Sequence, residues 1–366
     1  MYIGISAYNH ESSVSCIDES GLLIDYCREE SLSRIKGDNS FPKRSLAKVL
    51  KDNNISIRDI HKVCFYERPL ASFLHPLSIA IKELPESLPL ITHQLRNFTK
   101  SSCFIYYDLS RYFNGLQSKL VYCDHHLSHT LSVFPYIDRI SSPLCSVVLD
   151  GFGDRSSASI CSINSPSDVT ELWSNDYPHS LGLFYSAITD FLGFAINEGE
   201  YKVMGLSAYG DSSSILAKKT KQLAYWCQDT CQIKLDLNYF CFHKSVTDSY
   251  SDLLCELLGD ARNPFQPLNP GDQYFQDYAD IARGAQDCVL EILTNVFEYA
   301  NRLTGAKDFL YSGGVAMNSA SLGVLADLPF VRKIHIPPSP GDAGASIGAA
   351  CFAYIKYSSS TASIKK

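Results

Sequence analysis

The chain has 366 residues, of which 45% are apolar and 12% aromatic, enough for one large α/β domain or two lobes with buried cores. Its net charge of −7 and its pI near 5.8 argue against general nucleic-acid binding, because phosphate contacts need clustered Lys and Arg. No stretch reaches the roughly 18 consecutive apolar residues of a membrane-spanning helix. The thirteen cysteines, an odd number scattered through apolar runs, predict reduced, buried thiols in a cytoplasmic protein.

The first predicted element is a three-strand meander at residues 2–28, with a polar loop after its first strand and a turn at 19–21. The same order of elements returns at residues 144–174, about 140 residues later. This internal repeat predicts a duplicated α/β unit, as in the two-lobed folds of actin, hexokinase and Hsp70, where nucleotide lies between the lobes. Two unrelated sheets are the alternative that the repeat leaves open.

A charged segment, CREESLSRIKGDNSFP, follows the first meander at residues 27–42. It includes Arg34 and Lys36, and a run of mixed charge usually forms a solvated face. The chain up to the second meander then has mainly helical patterning, with short strands predicted at 61–67 and 119–124.

Three of the ten histidines fall within five residues, in the sequence VYCDHHLSHTLSVF at 121–134. In a helix capped by Asp124, His125 and His129 lie four residues apart and share one face, whereas His126 points elsewhere. That spacing can chelate a divalent metal. The zinc-protease pattern needs Glu where this chain has His126, so the pair alone leaves a metal site and a structural cluster equally open.

The second meander contains SVVLDGFGD, in which Asp150 ends a strongly apolar strand and precedes Gly151. Carboxylates at the strand ends of open α/β sheets face the ligand cleft. Asp150 is therefore a candidate for a site between the lobes.

An apolar helix is predicted at 180–194, and the segment NEGEYKVMGLSAYG at 197–210 follows it. Glu200 and Lys202 lie in this Gly-rich stretch, for which a solvated turn is the simplest interpretation. Its apolar residues, however, would draw the segment inward, and a Lys beside carboxylates there would suit an anion or acyl phosphate. Residues 211–275 are polar and have irregular patterning.

A long amphipathic helix at 276–303 leads to the sequence LYSGGVAMNS, which predicts a strand, a Gly-Gly turn and a helix start. Gly313 and Gly314 would let backbone N–H groups approach a phosphate or ribose, and Asn318 would hydrogen-bond the nucleotide. Many αβ turns carry a Gly-Gly pair, so this pair alone is weak evidence.

The last motif, PPSPGDAGASIGAA, places Asp342 in a Gly-flanked loop that opens a helix of small residues. An ordinary N-cap is the alternative for this carboxylate. With His125, His129 and Asp150, it would complete a set of two imidazoles and two carboxylates that suits Fe²⁺, Mn²⁺ or Zn²⁺.

Taken in order, these segments resemble the NodU/CmcH family of O-carbamoyltransferases, which includes tobramycin carbamoyltransferase. The lobe type is similar to that of the proteins of tRNA threonylcarbamoylation. The matching segments cover nearly the whole chain, and the most specific are EYKVMGLSAYG, GGVAMN and GDAG. The others are YNHESS, EESLSRIKGDNSFP, DHHLSH, LDGFGD and YADIARGAQ.

The resemblance implies a duplicated, two-lobed fold of the actin/Hsp70 type, with nucleotide and metal in the interlobe cleft. On this basis we expect a first lobe at 1–140, a second lobe at 141–357 and a flexible tail at 358–366. The charged segment 27–42 would then line the cleft instead of forming a solvated face.

The resemblance also implies transfer of a carbamoyl group from carbamoyl-adenylate, made from carbamoyl phosphate and ATP, to a hydroxyl of a small-molecule acceptor. It implies Fe²⁺ or another divalent metal, such as Mn²⁺ or Zn²⁺. The residues that match the family's metal ligands are His125, His129, Asp150 and Asp342. Those implied in catalysis are His10 and Lys202, those implied in nucleotide binding are Gly151, Gly313, Gly314 and Asn318, and those implied in binding the carbamoyl or phosphate group are Arg34, Lys36 and Glu200.

The chain departs from the family pattern at three positions within the motifs, and it also differs in length. It has Glu-Glu-Ser at 29–31 where the family commonly has Glu-Glu-Arg, Glu11 where Asp is usual, and Asp154 where Glu is usual. Family members usually continue into a YrdC-like domain that makes carbamoyl-adenylate, whereas this sequence stops at Lys366. We therefore expect a transferase lobe that receives the intermediate from a separate YrdC-like protein or uses another activated donor.

Two other functions stay open. One is a threonylcarbamoyl-type transferase acting on tRNA, against which the acidic charge and the segment EYKVMGLSAYG count. The other is a non-catalytic, nucleotide-binding regulatory protein of the same fold. Retention of both imidazoles and both carboxylates argues against the latter, since unused buried polar groups destabilise a fold.

Overall fold

The computed structural model describes residues 1–98, 101–137 and 143–358. Its strands are β1 (Tyr2–Ser6), β2 (Ser13–Ile17), β3 (Leu23–Arg28), β4 (Lys62–Phe65), β5 (Leu120–Tyr122), β6 (Leu144–Gly153), β7 (Ser156–Ser165), β8 (Asp168–Asp176), β9 (Ala224–Cys227), β10 (Gln232–Leu235), β11 (Asp308–Ser312) and β12 (Lys333–His335). Its α-helices are α1 (Glu29–Ser33), α2 (Lys43–Asp52), α3 (Pro69–Lys82), α4 (Leu88–Arg96), α5 (Ile105–Tyr112), α6 (His125–Leu131), α7 (Leu181–Phe191), α8 (Glu200–Leu206), α9 (Ile215–Lys221), α10 (Asp252–Leu258), α11 (Phe275–Thr304), α12 (Ser319–Ala326) and α13 (Asp342–Tyr357).

Two five-stranded sheets repeat one topology. The first has the strand order β3-β2-β1-β4-β5, and the second has the order β8-β7-β6-β11-β12. In each sheet the first three strands form an antiparallel meander, and the remaining two continue the sheet in parallel from the first strand. This repeat confirms the predicted duplicated α/β fold of the actin/Hsp70 type and excludes two unrelated sheets.

The central strands are buried because helices cover them closely. All five residues of β1 are buried, as are the first seven of β6, which explains why both segments have continuous apolar runs. Gly4 in β1 lies directly against α13, since a Cβ at this position would come within 1.8 Å of the Ser346 carbonyl oxygen. A side chain there would separate the helix from the sheet.

The last helix packs on the first sheet although the sequence places it in the second predicted lobe. Its buried residues, among them Ile347 and Tyr354, belong to the same apolar cluster as Ile3 and Ile5 of β1. The expected boundary between 1–140 and 141–357 falls within residues 138–142, outside the described residues, so these bounds stay a prediction. In the expected tail, residues 359–366 are also outside them.

The segment 211–275 has more regular structure than its polar patterning indicated. It contains α9, the β9–β10 hairpin and α10. Trp226, Ile233 and Leu254 of this segment belong to a second apolar cluster, which is formed with the second sheet and α11. The prediction of an irregular segment was wrong here because a few widely spaced apolar residues fix the hairpin against α11.

All thirteen cysteines have free thiols, of which eight are buried as predicted and five, Cys103, Cys227, Cys231, Cys241 and Cys255, are only partly buried. Among the described residues, every helix is too short or too polar to cross a membrane.

Candidate metal centre

The histidine cluster is presented by the short helix α6, which follows β5 almost directly. Asp124 caps this helix, and its Oδ1 accepts a hydrogen bond from the Leu127 N–H at 3.0 Å. His125 and His129 then share one face, as their spacing predicts. His126 points elsewhere, with Nδ1 2.9 Å from Oγ of Ser159 in β7.

Two carboxylates meet these two imidazoles. Nε2 of His125 lies 3.0 Å from Oδ2 of Asp150 and 3.7 Å from Oδ1 of Asp342. Nε2 of His129 lies 3.3 Å from each of the same two oxygens. One donor atom of each residue falls within 4.8 Å of the other three. The structure therefore brings all four predicted ligand residues into one cluster.

The cluster is buried, and two of its polar atoms are close to opposite charges without making a hydrogen bond. The side chains of His125, His129, Asp150 and Asp342 are 0–9% exposed. Among the described residues, Nε2 of His129 and Oδ1 of Asp342 face each other at 3.3 Å but make no hydrogen bond. Buried polar atoms without a hydrogen bond are rare in folded proteins, and an ion is one explanation for them. The donor set of two nitrogens and two oxygens fits a divalent metal.

Asp150 is oriented by two backbone N–H groups. Its Oδ1 accepts from Gly151 at 2.9 Å and from Gly314 at 3.0 Å, which leaves Oδ2 facing the imidazoles. Gly313 adopts a φ of +93°, and its N–H donates to the Pro340 carbonyl oxygen at 2.8 Å. The N–H groups of Gly313 and Gly314, expected to approach a phosphate, thus fix Asp150 and the loop that leads to Asp342. Nucleotide binding by Gly151, Gly313 or Gly314 stays a prediction.

The charges of the cluster support one another. Burial disfavours the protonated form of His125, but the hydrogen bond to Asp150 and the charge of Asp342 outweigh burial and raise the pKa of His125 to about 10. Burial would raise the pKa of Asp150, but the two imidazoles hold it well below its usual value. Burial and the neighbouring His125 lower the pKa of His126 to about 3. Of the three histidines of α6, only His125 and His129 therefore form ion pairs with Asp150 and Asp342.

Asn318 caps α12 and pairs with a glutamine of α11. Its Oδ1 accepts from Nε2 of Gln286 at 3.0 Å, and its Nδ2 donates to Oε1 of Gln286 at 2.9 Å. Tyr185 of α7 donates to the same Oε1 at 3.0 Å. The side-chain amide of Asn318 is thus engaged within the fold, and its predicted contact with a nucleotide stays a prediction.

The two predicted catalytic residues lie outside the four-residue cluster. His10 is exposed in the loop after β1, and Nδ2 of its neighbour Asn9 donates to the Tyr66 hydroxyl at 2.8 Å. The Tyr66 ring in turn packs edge-on against the His125 ring. Lys202 is exposed on α8, with Nζ 5.5 Å from the Phe194 ring centroid.

The segment 197–210 forms α8 instead of a turn, and only part of it faces inward. Val203 and Leu206 are buried as expected, whereas Tyr201 is 65% exposed, so the expectation for that residue was wrong. The helical period explains the difference, because Tyr201 lies on the face opposite the core. Oε1 of Glu200 accepts from Ser186 at 3.0 Å and from the Asn197 N–H at 2.9 Å. Glu200 therefore fixes the start of α8, and its role toward a phosphate stays a prediction.

The charged segment 27–42 approaches the start of α8. A Cβ on Gly37 would lie 3.8 Å from Oε1 of Glu198, so the two segments face each other. Arg34 is exposed and ends α1 in the left-handed conformation, and Lys36 is exposed with Nζ 3.5 Å from Oε2 of Glu30. This position agrees with a cleft lining, while contact of Arg34 and Lys36 with a ligand stays a prediction.

Sequence reasoning missed Glu67, which follows the end of β4. Its side chain is fully buried, and burial raises its pKa. Its Oε2 accepts from Ser72 at 2.8 Å and from Asn9 at 3.2 Å, whereas Oε1 has no partner among the described residues. The rule that identified Asp150, a carboxylate at the carboxyl end of an apolar strand, would also have found this residue in KVCFYER.

Comparison with known proteins places the chain in a family. Residues 1–351 match the family model described as Carbamoyltransferase N-terminus. The chain belongs to this carbamoyltransferase family. The resemblance that the sequence motifs indicated is thereby confirmed.

Relatives in this family extend beyond the matched region. An uncharacterised protein of Synechocystis sp. is 29% identical over 373 residues, which cover 100% of this chain and 58% of the relative. Nodulation protein NolNO of Sinorhizobium fredii is 25% identical over 359 residues, covering 94% of this chain and 46% of the relative. The chain thus spans about half the length of the curated relatives it matches.

A solved structure of similar extent is component A of (R)-2-hydroxyglutaryl-CoA dehydratase from Acidaminococcus fermentans. The similarity covers 97% of this chain and 98% of that chain, with 14% sequence identity and a TM-score of 0.49.

Proposed function

We propose that this chain is the transferase region of a metal-dependent carbamoyltransferase, which moves a carbamoyl group from carbamoyl-adenylate to a hydroxyl of a small-molecule acceptor. Membership of the carbamoyltransferase family supports the reaction class. The observation that carries the metal dependence is the buried convergence of His125, His129, Asp150 and Asp342, in which one donor atom of each residue lies within 4.8 Å of the others.

Nε2 of each histidine, Oδ2 of Asp150 and Oδ1 of Asp342 would hold Fe²⁺ or another divalent ion such as Mn²⁺ or Zn²⁺. When bound, the ion supplies Lewis-acid chemistry, which polarises an acyl oxygen and neutralises phosphate charge. The protein's own contribution is orientation, because the hydrogen bonds from Gly151 and Gly314 leave Asp150 only one oxygen for the cluster. Preorganised ligands of this kind need no rearrangement when substrate arrives.

In the proposed transfer, the acceptor oxygen forms a bond to the carbamoyl carbon, and the bond from that carbon to the adenylate phosphate oxygen breaks. AMP leaves with the bonding electron pair, and the hydroxyl proton passes to a base. His10 is the proposed base, since its imidazole is exposed beside the Asn9–Tyr66 contact that leads to His125. Arg34, Lys36 and Lys202 would supply positive charge to the phosphate from the two facing segments. A YrdC-like activity would make the adenylate from carbamoyl phosphate and ATP.

The metal content of purified variants tests the ligand assignment. We expect the wild-type protein to hold about one divalent ion per chain, and His129→Ala and Asp342→Ala to hold almost none, because each removes one of the four donors that a site needs. The ion is measured by inductively coupled plasma mass spectrometry after reconstitution and gel filtration. His126→Asn is the matched control, since it alters the adjacent histidine that contacts Ser159. Equal metal in all four proteins would refute the assignment.

The reaction is tested with carbamoyl phosphate, ATP, a YrdC-like domain of the family and a panel of hydroxylated acceptors. A product in which one carbamoyl group replaces one acceptor hydrogen, detected by mass spectrometry, supports the transferase. Nucleotide binding without product from any acceptor would favour the non-catalytic alternative.

A further inference from the structure

Outside the ligand set, one arginine connects three segments around the start of α6. Nε of Arg68 lies 2.9 Å from Oδ2 of Asp154, and its Nη2 lies 2.6 Å from Oδ2 of Asp124. Asp124 is the cap of α6, and Asp154 lies in the turn between β6 and β7. We call Arg68, Asp124 and Asp154 the Arg68 bridge.

Asp154 is the buried member of this bridge, and both of its oxygens are occupied. Its side chain is 4% exposed. Oδ2 also accepts from the backbone N–H of His125 at 3.1 Å, while Oδ1 accepts from the Arg68 N–H at 2.7 Å and from Ser72 at 3.2 Å. Asp154 has a φ of +54°, a conformation that Asp and Asn adopt more readily than most residues. A carboxylate therefore sits at the backbone of the first histidine in a strained turn.

The same turn also contacts the side chain of His125. A Cβ on Gly153 would lie 2.0 Å from Cδ2 of the His125 ring, so the strand end packs directly on the imidazole. Asp150, three residues earlier, contacts Nε2 of this ring. The segment 150–154 therefore contacts His125 in three ways. Asp150 lies next to its Nε2, Gly153 packs against its ring, and Asp154 accepts a hydrogen bond from its backbone N–H.

We propose that Asp154, oriented by Arg68, is a positioning residue of the metal centre, which fixes the backbone of His125 so that both imidazoles face Asp150 and Asp342. This inference rests on the proposed metal-dependent function. Arg68 is 56% exposed, and exposed ion pairs contribute little to the free energy of unfolding. The contribution of the bridge is therefore expected in the geometry and affinity of the site more than in overall stability.

Asp154→Asn tests the proposal with little change in shape or backbone preference. Donors face both oxygens of Asp154, so the amide nitrogen of Asn must meet one of them and lose that hydrogen bond. Partners that orient metal ligands typically change metal affinity about 10- to 100-fold. Zn²⁺ affinity is measured by competition with a chromophoric chelator, and the ligand geometry is read from the visible absorption of the Co²⁺-loaded protein.

We expect Asp154→Asn to bind Zn²⁺ at least about tenfold more weakly than wild type and to show an altered Co²⁺ spectrum. Arg68→Met, a change at a largely exposed side chain, should weaken binding in the same direction and serves if Asp154→Asn does not fold. Arg155→Met is the matched control, because Arg155 is the adjacent residue and pairs with Asp176. It should bind Zn²⁺ like wild type.

Asp154→Asn and Arg68→Met with wild-type Zn²⁺ affinity and an unchanged Co²⁺ spectrum would overturn the positioning role while leaving the metal centre intact. A wild-type protein that binds neither Zn²⁺ nor Co²⁺ would instead refute the metal centre itself, and the positioning role with it.

Discussion

At the residue scale, His125 is constrained on three sides by its neighbours. Its ring contacts Tyr66 and the backbone of Gly153, and its Nε2 reaches Asp150. Glycine at 153 is required by this packing, since any Cβ would overlap the imidazole. The His125 ring therefore requires glycine at position 153.

Gly153→Ala should displace the His125 ring and lower the Zn²⁺ affinity at least about tenfold, because one imidazole no longer faces the carboxylates. Chelator competition measures the affinity. Gly323→Ala is the control, as a Cβ there meets no atom within 4 Å. A Gly153→Ala protein that binds Zn²⁺ as tightly as this control would contradict the prediction.

A second residue-scale prediction concerns His179 and pH. Nδ1 of His179 accepts a hydrogen bond from the Leu235 N–H at 3.1 Å, which requires the neutral ring. Burial lowers its pKa to about 4 from the ordinary value of 6.5. A lowered pKa favours the neutral form in the folded state, so this contribution is present above pH 6.5 and is lost as the pH falls toward 4.

We expect the free energy of unfolding, measured by urea denaturation, to fall less between pH 7 and pH 4 in His179→Asn than in wild type. The difference should be about 1 to 2 kcal/mol, below the full value for this pKa shift because the ring is only half-buried and solvent screens its charge. The Asn Oδ1 can accept the same hydrogen bond without titrating. His93→Asn, at an exposed position, should follow the wild-type curve. Identical curves for His179→Asn and wild type would disprove the assignment.

Each of the four candidate ligands could be predicted from the sequence, because each lies at a recognisable position in its element. His125 and His129 share a helical face, Asp150 ends a strand and Asp342 begins a helix, and each of these is a local pattern. The roles of Gly313 and Gly314 could not be derived in this way. Whether a backbone N–H donates to a phosphate or to a neighbouring carboxylate depends on which loop lies opposite. Local sequence patterns do not show which loops pack together.

At the element scale, close contact between α13 and its neighbours joins the parts of the site. A Cβ on Gly348 of α13 would lie 1.6 Å from the Ser128 carbonyl oxygen in α6. The helix that begins with Asp342 therefore touches the helix that bears both histidines, backbone against backbone. Small residues on α13 set the distance between two elements that carry residues of the candidate metal centre.

Gly348→Ala should separate the two helices and lower the free energy of unfolding by about 1 to 3 kcal/mol, the usual cost of overpacking. Gly323→Ala, in the open helix α12, should instead raise it by a few tenths to about 1 kcal/mol. Thermal and urea denaturation measure both changes. Equal stability of the two variants would show that α6 and α13 can move apart without cost.

Elements with strong periodicity were predictable, and those fixed by tertiary contacts were not. Both meanders and the long helix α11 follow from patterns of two and of 3.6 residues. The β9–β10 hairpin and α8 were missed, because these elements are too short, at four to seven residues, to show a clear period. Burial of Trp226 and Val203 against distant helices stabilises them.

At the scale of the whole molecule, the two halves share a core. The apolar cluster of the first sheet includes Leu144 of β6, Leu310 of β11 and the inner face of α13. The repeated topology could be predicted from the sequence, but the packing of α13 on the first sheet could not. A repeat gives the order of the strands and does not show which sheet the last helix covers.

A fragment of residues 1–140 should therefore fail to fold cooperatively, since its sheet loses the apolar cover that α13 provides. Circular dichroism and urea denaturation of the purified fragment measure this, with the full chain as the control. A cooperative transition in the fragment would show that the predicted first lobe is an independent domain.

The first and last residues of the cluster, His125 and Asp342, lie 217 positions apart in the chain. During synthesis on the ribosome, both imidazoles and the first aspartate emerge long before the last carboxylate. The proposed four-ligand site can therefore form only after Asp342 has been synthesised, and an ion bound earlier by the nascent chain would meet at most three of the four side chains.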